Sequence, residues 1–178
     1  MLVLFNKPYN VLSKFTDDSG RETLKKYIDI PNIYAAGRLD MDSEGLILLT
    51  DDGKFQHEIT DPMHKEYKTY LVQVEGEITK EAIDDLENGV YLKDGKTKPA
   101  LVKSVLEPDW LWERNPPIRK RQNIPTSWLE ISIKEGKNRQ VRRMTAAVGL
   151  PTLRLIRTQI SNFTLGTLKP GQFKIIKV

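Results

Sequence analysis

Between Gly37 and Gly45 the sequence places Arg38, Asp40, Asp42 and Glu44, and directly after them comes the apolar run Leu46-Ile47-Leu48-Leu49. Four charged groups on one short connection make a poor structural turn. The glycines permit unusual backbone angles and close approach by a ligand, so the segment reads as a site held by a strand. Such a loop can serve an anion through its arginine or a cation through its carboxylates, or it can supply a nucleophile. The cation reading is concrete, because Asp40, Asp42, Glu44, Gly45, Ile47 and Asp51 fall at positions 1, 3, 5, 6, 8 and 12 of a calcium loop. It fails on context. Position 9 is Leu48, position 12 prefers Glu, and an apolar strand-like run stands where the loop should be polar and lead into a helix.

Composition narrows the remaining chemistry. The 178 residues include no cysteine and only two histidines, His57 and His64, so there is no disulfide framework or thiolate metal site, and no metal is expected. The histidines are expected to be surface or structural residues. Neither GxSxG nor a Gly-rich P-loop occurs, which leaves a serine hydrolase or nucleotidase unsupported. The apolar start Met1–Phe5 is broken by Asn6-Lys7-Pro8, too short for a signal peptide, and no run approaches a membrane span. A cytoplasmic protein without a membrane partner is expected.

The net charge of +4 hides an uneven distribution. Residues 1–113 carry 14 Lys and Arg against 22 Asp and Glu, whereas residues 114–157 carry 11 against 2. A basic block of this kind suits a polyanion, since each cation that neutralises a phosphate releases counterions. A solvated charged face is the plainer alternative. Within the block, a helix is expected over 138–148, with Gly136 and Asn138 supplying turn and cap and Gly149-Leu150-Pro151 the stop. Val141, Met144, Thr145 and Val148 form its buried stripe, and Arg139, Arg142, Arg143 and Ala146 share another face. Stacked arginines in the first turns cost about a few tenths of a kcal/mol per pair. An anion is therefore expected there, either phosphate or a carboxylate such as Asp40.

The elements that must position these groups are mostly strands. Candidates are Leu2–Phe5, Leu46–Thr50, Tyr67–Val74, Ala100–Leu106, Trp128–Ile133, Leu153–Gln159 and Phe173–Val178. Helices are expected at Glu81–Glu87, with Thr79 as N-cap and Gly89 as stop, and more briefly at Leu24–Ile28 and Lys54–Ile59. Short turns between strands argue for an α+β fold on a mainly antiparallel sheet with a few flanking helices. Residues 107–127, with Pro108, Pro116, Pro117 and Pro125, are expected to form a loop or insertion. Its Trp110, Trp112, Arg114, Arg119, Lys120 and Arg121 suit RNA, though the tryptophans could equally anchor the loop to its own core.

Four motifs then stand in order: Asn6-Lys7-Pro8; Gly37-Arg38-Leu39-Asp40 with Ser43-Glu44-Gly45-Leu46-Ile47-Leu48-Leu49-Thr50-Asp51-Asp52-Gly53; Lys68-Thr69-Tyr70-Leu71-Val72; and Glu135-Gly136-Lys137-Asn138-Arg139-Gln140-Val141-Arg142-Arg143-Met144. Together they resemble the RsuA family of RNA pseudouridine synthases. The basic Pro-rich insertion, Trp128-Leu129-Glu130-Ile131 and Pro151-Thr152-Leu153-Arg154-Leu155-Ile156-Arg157 are most similar to its members that act on the large ribosomal subunit. The resemblance implies one catalytic domain of the pseudouridine synthase type over residues 1–178, with two subdomains able to share one sheet. It begins at the first catalytic motif, so no preceding S4 domain is expected. By the same resemblance, Asp40 is the essential aspartate, Tyr70 the tyrosine that packs on the target base, and Arg142 the basic residue that pairs with the aspartate. Arg38 is the neighbouring arginine. Lys7, Arg119, Lys120, Arg121, Lys137, Asn138, Arg139 and Arg143 are the candidates for RNA contact. Two departures are mild: Ser43 keeps the hydroxyl of the family's usual Thr, and Asn10, where many relatives have Gly, tolerates positive φ.

The implied reaction converts uridine to pseudouridine in ribosomal RNA. The implied partner is 23S rRNA, or a fragment or assembly intermediate containing it, and the enzyme is expected to be a monomer. Breaking the bond from N1 to C1′ and rejoining through C5 changes no oxidation state, so no cofactor is expected. An ionised carboxylate could attack the ribose or the base, or could stabilise and deprotonate the sugar, and the sequence leaves these routes open. The target must leave the stack at a cost of a few kcal/mol, and stacking on an aromatic ring returns about 1–3 kcal/mol. Taken singly, Tyr70 would more often be a strand residue of the core, and Asp40 could simply cap a turn. A non-catalytic RNA-binding or ribosome-assembly protein is the alternative, although binding alone has no use for Asp40, which repels phosphate.

Overall fold

The strand-rich pattern folds as expected into an α+β structure, in a computed structural model that describes residues 1–61, 63, 66–119 and 121–177. The chain divides into two units, Met1–Lys65 with Arg157–Val178, and Glu66–Ile156.

In the first unit, β1 (Leu2–Lys7) and β3 (Glu44–Thr50) pair antiparallel from Leu2 opposite Thr50 to Lys7 opposite Gly45. Every residue of both strands is buried. That explains why they read as continuous apolar runs rather than alternating ones. On one face Val3, Phe5, Ile47 and Leu49 pack with Val11, Leu24, Ile28 and Ile33, each large side chain contributing about 1.5–3 kcal/mol by leaving water. Leu24 arrives on a short 3-10 helix, Leu24–Lys26, started by the Thr23 side chain. Beyond β1 lies β11 (Phe173–Ile176), and beyond β3 the strand β9 (Thr152–Ile160), of which residues 157–160 belong to this unit. Short strands β2 (Tyr34–Ala35) and β10 (Phe163–Thr164) pair with β3 and β9. Asn6 draws the C-terminal turn onto β1, its amide donating to the Leu168 carbonyl at 3.0 Å. Helix α1 (Gly53–Thr60) starts on the Asp52 carboxylate, which accepts from the Lys54 and Phe55 amides.

In the second unit the order is β9, β4 (Lys68–Glu75), β8 (Thr126–Ile133) and β7 (Leu101–Val105). All eight residues of β4 face β8 in antiparallel register, from Lys68 opposite Ile133 to Glu75 opposite Thr126. Helices α2 (Lys80–Asn88) and α3 (Gln140–Ala147) supply Ala82, Leu86, Val141 and Met144 to a core completed by Val72, Val74, Leu129, Ile131 and others from the strands. Thr79 caps α2 through a 3.1 Å bond from the Ala82 amide, and Gly89 ends it, both as expected. Strands β5 (Tyr91–Leu92) and β6 (Gly95–Lys96) form a hairpin against which α3 lies.

Several boundaries depart from expectation, two of them as follows. Strand β8 opens at Thr126, inside the segment expected as loop. Helix α3 begins at Gln140 rather than Asn138, and Arg139, not Asn138, occupies the N-cap position, in the left-handed region (φ 52°, ψ 33°) without a side-chain cap bond. The Gln140 side chain does the local work instead: its Oε1 accepts from the Lys137 amide at 3.2 Å, and its Nε2 donates to Glu135 at 2.7 Å.

Candidate active site

In the first unit the loop from Arg38 to Glu44 is fixed by its backbone. Ser13 clasps Leu39 from both sides, its hydroxyl accepting from the Leu39 amide at 3.0 Å and donating to the Leu39 carbonyl at 2.5 Å. The Ser43 amide closes a turn on the Asp40 carbonyl at 3.0 Å, and the Asn10 amide holds the Met41 carbonyl at 2.9 Å. Asn10 has φ 64°, the positive value its residue type tolerates. Asp40 is left half-buried and Arg38 exposed. Asp40 thus stands between two residues, Leu39 and Met41, whose main chain cannot drift.

Two buried cations brace this loop. Lys7, expected to meet RNA, instead has 0% exposure, with Nζ donating to the carbonyls of Pro8 (2.8 Å) and Met41 (3.3 Å). The reason for the correction is register: Lys7 closes β1 opposite Gly45, where both faces are covered. Burial lowers its pKa to about 7, opposed by the charges of Glu44, Asp42 and Asp40 and assisted by Arg157. Arg157 was not foreseen as a site residue. Its Nε donates to the Leu46 carbonyl at 2.9 Å and its Nη1 to the Arg38 carbonyl at 3.4 Å. Glu44 is 2% exposed and is the first residue of β3; Asp42 is half-buried.

The depressed pKa of Lys7 has a measurable consequence. Between about pH 7 and its unfolded value of 10.5, the unfolded chain holds a proton at Lys7 that the folded protein lacks, so stability rises with pH in this window. Below pH 7 both states carry the charge and the folded state bears its burial cost. Replacing Lys7 by Met is expected to remove close to one proton's worth of slope from the stability profile between pH 7 and 10, read by urea unfolding at several pH values. An unchanged slope would show that Lys7 does not titrate there.

The second unit holds the remaining candidates. Tyr70, the third residue of β4, lies opposite Ile131, and at 8% exposure it belongs to the core with Val72 and Val74. Arg142, half-buried on α3, lines an open concavity of about 780 Å³ with Lys93, Asp94, Asn138, Arg139 and Arg143. The anion expected beside the stacked arginines is partly internal. Arg143 grips Asp94 through Nη1 (2.8 Å) and Nη2 (3.3 Å), which lowers the Asp94 pKa, and its Nε donates to the Asn138 carbonyl. Asn138 and Arg139 are exposed and Lys137 is half-buried. In the Pro-rich loop Arg119 is exposed, and Arg121, also exposed, stands 3.6 Å from Glu75. Lys120 and His64 lie outside the described residues.

The tryptophans of that loop divide their duties. Trp112 anchors it, with Arg154 lying over the ring at 5.9 Å and donating to the Trp112 carbonyl at 2.9 Å. Arg114 ties the same loop to the carbonyls of Pro116, Pro117 and Leu153. Trp110 leans on Trp112 at 5.9 Å and remains 52% exposed. Among the described residues no cluster of His, Asp and Glu is arranged to hold a metal, and no helix is long and apolar enough to cross a membrane.

The chain is similar to known proteins. The family model described as RNA pseudouridylate synthase matches residues 1–147. The ribosomal large subunit pseudouridine synthase E of Vibrio parahaemolyticus is 55% identical over 177 residues, covering 99% of this chain and 74% of that protein. Its namesake from Xanthomonas campestris is also 55% identical over 177 residues, covering 98% of this chain and 95% of that protein. A solved pseudouridylate synthase superposes with a TM-score of 0.79 at 30% identity, covering 99% of this chain and 70% of its own. The match spans the Asp40 loop, β4 and α3, so the chain belongs to the RNA pseudouridylate synthase family and is an enzyme that isomerises uridine to pseudouridine in RNA.

Proposed function

We propose that this enzyme modifies a specific uridine of 23S ribosomal RNA, with Asp40 as its essential carboxylate. The single observation that carries the assignment of Asp40 is its setting: a half-buried carboxylate whose two chain neighbours are held by Ser13, Asn10 and Lys7. A fixed carboxylate needs no reorganisation as charge develops on the sugar. In the reaction the bond from N1 to C1′ breaks, the base turns, and C5 joins C1′; the proton leaving C5 is balanced by one gained at N1. No electron is exchanged and no group leaves the molecule.

Tyr70 and Arg142 are assigned by residue type, the ring to pack on the flipped base and the guanidinium to supply positive charge to the reaction. Arg38, Arg119, Lys120, Arg121, Lys137, Asn138 and Arg139 are assigned to RNA, and Arg143 shares itself between RNA and Asp94. The large-subunit target rests on likeness to the two relatives named for it. The proposed setting is the cytoplasm, the proposed state a monomer, and the proposed organisation a single catalytic domain.

Mapping pseudouridines in ribosomal RNA from cells with and without the protein tests this reading. One 23S uridine is expected to lose its modification and to regain it when the purified enzyme is added. Loss confined to the small subunit would overturn the target, and an unchanged map would favour a binding protein over an enzyme of ribosomal RNA.

A further inference from the structure

Asp40 sits on a loop closed at its base by the pairing of β2 with β3 and by the bond from the Ala36 amide to the Leu48 carbonyl at 2.8 Å, and inside that closure its two shoulders are Arg38 and Leu46. They are joined by one side chain from far along the chain. Arg157 enters on β9, donates from Nε to the Leu46 carbonyl at 2.9 Å and from Nη1 to the Arg38 carbonyl at 3.4 Å. Its own backbone presses on the loop exit, since a Cβ added to Gly45 would stand 2.2 Å from the Arg157 carbonyl oxygen. Residue 157 therefore touches the loop before the carboxylate, after it, and at the glycine between.

The residue type matters. With 4% exposure Arg157 is closed to solvent and does not belong to the exposed basic surface that meets RNA. Burying a guanidinium costs free energy that an apolar residue at the same strand position would avoid. Its neighbours Leu155 and Ile156 show that the strand admits apolar side chains there. What an apolar residue cannot do is donate in two directions from one rigid plane, and a lysine ammonium, a point charge on a flexible stem, cannot bridge both carbonyls in a fixed geometry. The guanidinium also adds positive charge near the loop's acidic side chains, as its effect on Lys7 records.

We infer that Arg157 is a positioning residue for the isomerisation: its guanidinium, by bridging the carbonyls of Arg38 and Leu46, sets the direction of the Asp40 carboxylate without touching the RNA. The inference rests on Asp40 being the essential carboxylate. It goes beyond the family match, which ends at residue 147.

The test compares Arg157→Lys, Arg157→Gln and Asp40→Asn in the full chain, using a uridine-tritiated 23S rRNA fragment, with tritium release under saturating enzyme for the rate and filter binding for affinity. Arg157→Lys keeps the charge and loses the bridge. It is expected to lower the rate by about tenfold to a hundredfold, the loss associated with an ångström-scale misplacement of a catalytic group, while RNA affinity stays within about twofold. Arg157→Gln, whose amide can serve only one of the carbonyls, should behave alike and provides a second measurement if the lysine variant folds poorly. A purely structural role predicts a reduced active fraction with the surviving molecules turning over at the wild-type rate, which burst titration against the RNA separates from a slower step. Wild-type rates in the folded variants, or an affinity loss with no rate loss, overturn the inference. If Asp40→Asn retains tritium release, the assignment of Asp40 falls instead. An inactive Asp40→Asn beside a fully active Arg157→Lys rejects only the role of Arg157.

Discussion

Replacing Asp40 by Asn is expected to lower the rate of tritium release from C5-labelled uridine by at least about 10³-fold, the upper range for loss of one electrostatic contact at a reacting centre. RNA affinity should change by less than about twofold. The split follows from where the group sits. The Asp40 main chain is tied through its carbonyl to Ser43 and through its neighbours to Ser13 and Asn10, and the loop takes part in these bonds through main-chain atoms. Asn keeps the shape, so the loop is expected to hold. Removing a negative charge takes away no attraction for phosphate. Retained release at the wild-type rate would strip Asp40 of its role, whereas equal losses of rate and affinity would point to a disturbed loop.

Gly45→Ala should be the most damaging small substitution for folding. At φ 110° an alanine is already disfavoured by about 1–2 kcal/mol. Its Cβ would meet the Arg157 carbonyl oxygen at 2.2 Å and the Arg157 nitrogen at 2.8 Å. The obstacle is backbone within a sheet, which cannot rotate aside as a side chain can. Overpacking of that kind adds about 1–3 kcal/mol. A total of about 2–5 kcal/mol lowers the melting temperature by roughly 10 °C for a chain of this size. Gly53→Ala is the control, since its Cβ would meet only the Tyr34 hydroxyl at 3.4 Å and its φ is ordinary. Urea unfolding of both variants reads the difference; a Gly45→Ala midpoint equal to that of Gly53→Ala would mean the two strands can part without cost.

Local pattern made most of the framework legible. The apolar runs of β1, β3, β4, β8 and β9 are long enough to stand out, and α2 announces itself through Thr79 and Gly89. The two-residue strands Tyr34–Ala35, Tyr91–Leu92, Gly95–Lys96 and Phe163–Thr164 have no run or period to show, so the sequence does not reveal them. The fate of charged side chains was also hidden. Lys7 and Glu44 look like surface residues beside a turn, and only pairing of β1 with β3 buries them. Arg157 reaches carbonyls 111 and 119 positions away in sequence. A lone arginine after Leu155-Ile156 in a strand was the available hint, since a charge in such a run must find a buried partner or leave the run. At α3 the sequence points to Asn138 because it has the favoured cap residue type, while Gln140 satisfies the Lys137 amide from inside the helix.

The order in which the chain is made bears on when this protein becomes active. Glu66–Ile156 is continuous in sequence, but its companion unit combines Met1–Lys65 with Arg157–Val178. A growing polypeptide can complete the continuous unit while the early segment still lacks its closing strands. Strand β1 must wait for β11, and the Asp40 loop must wait for Arg157, so the longest loop closures come last. The Asp40 loop is therefore locked only once residue 157 has been made, and β1 gains its outer neighbour only once residues 173–176 have followed.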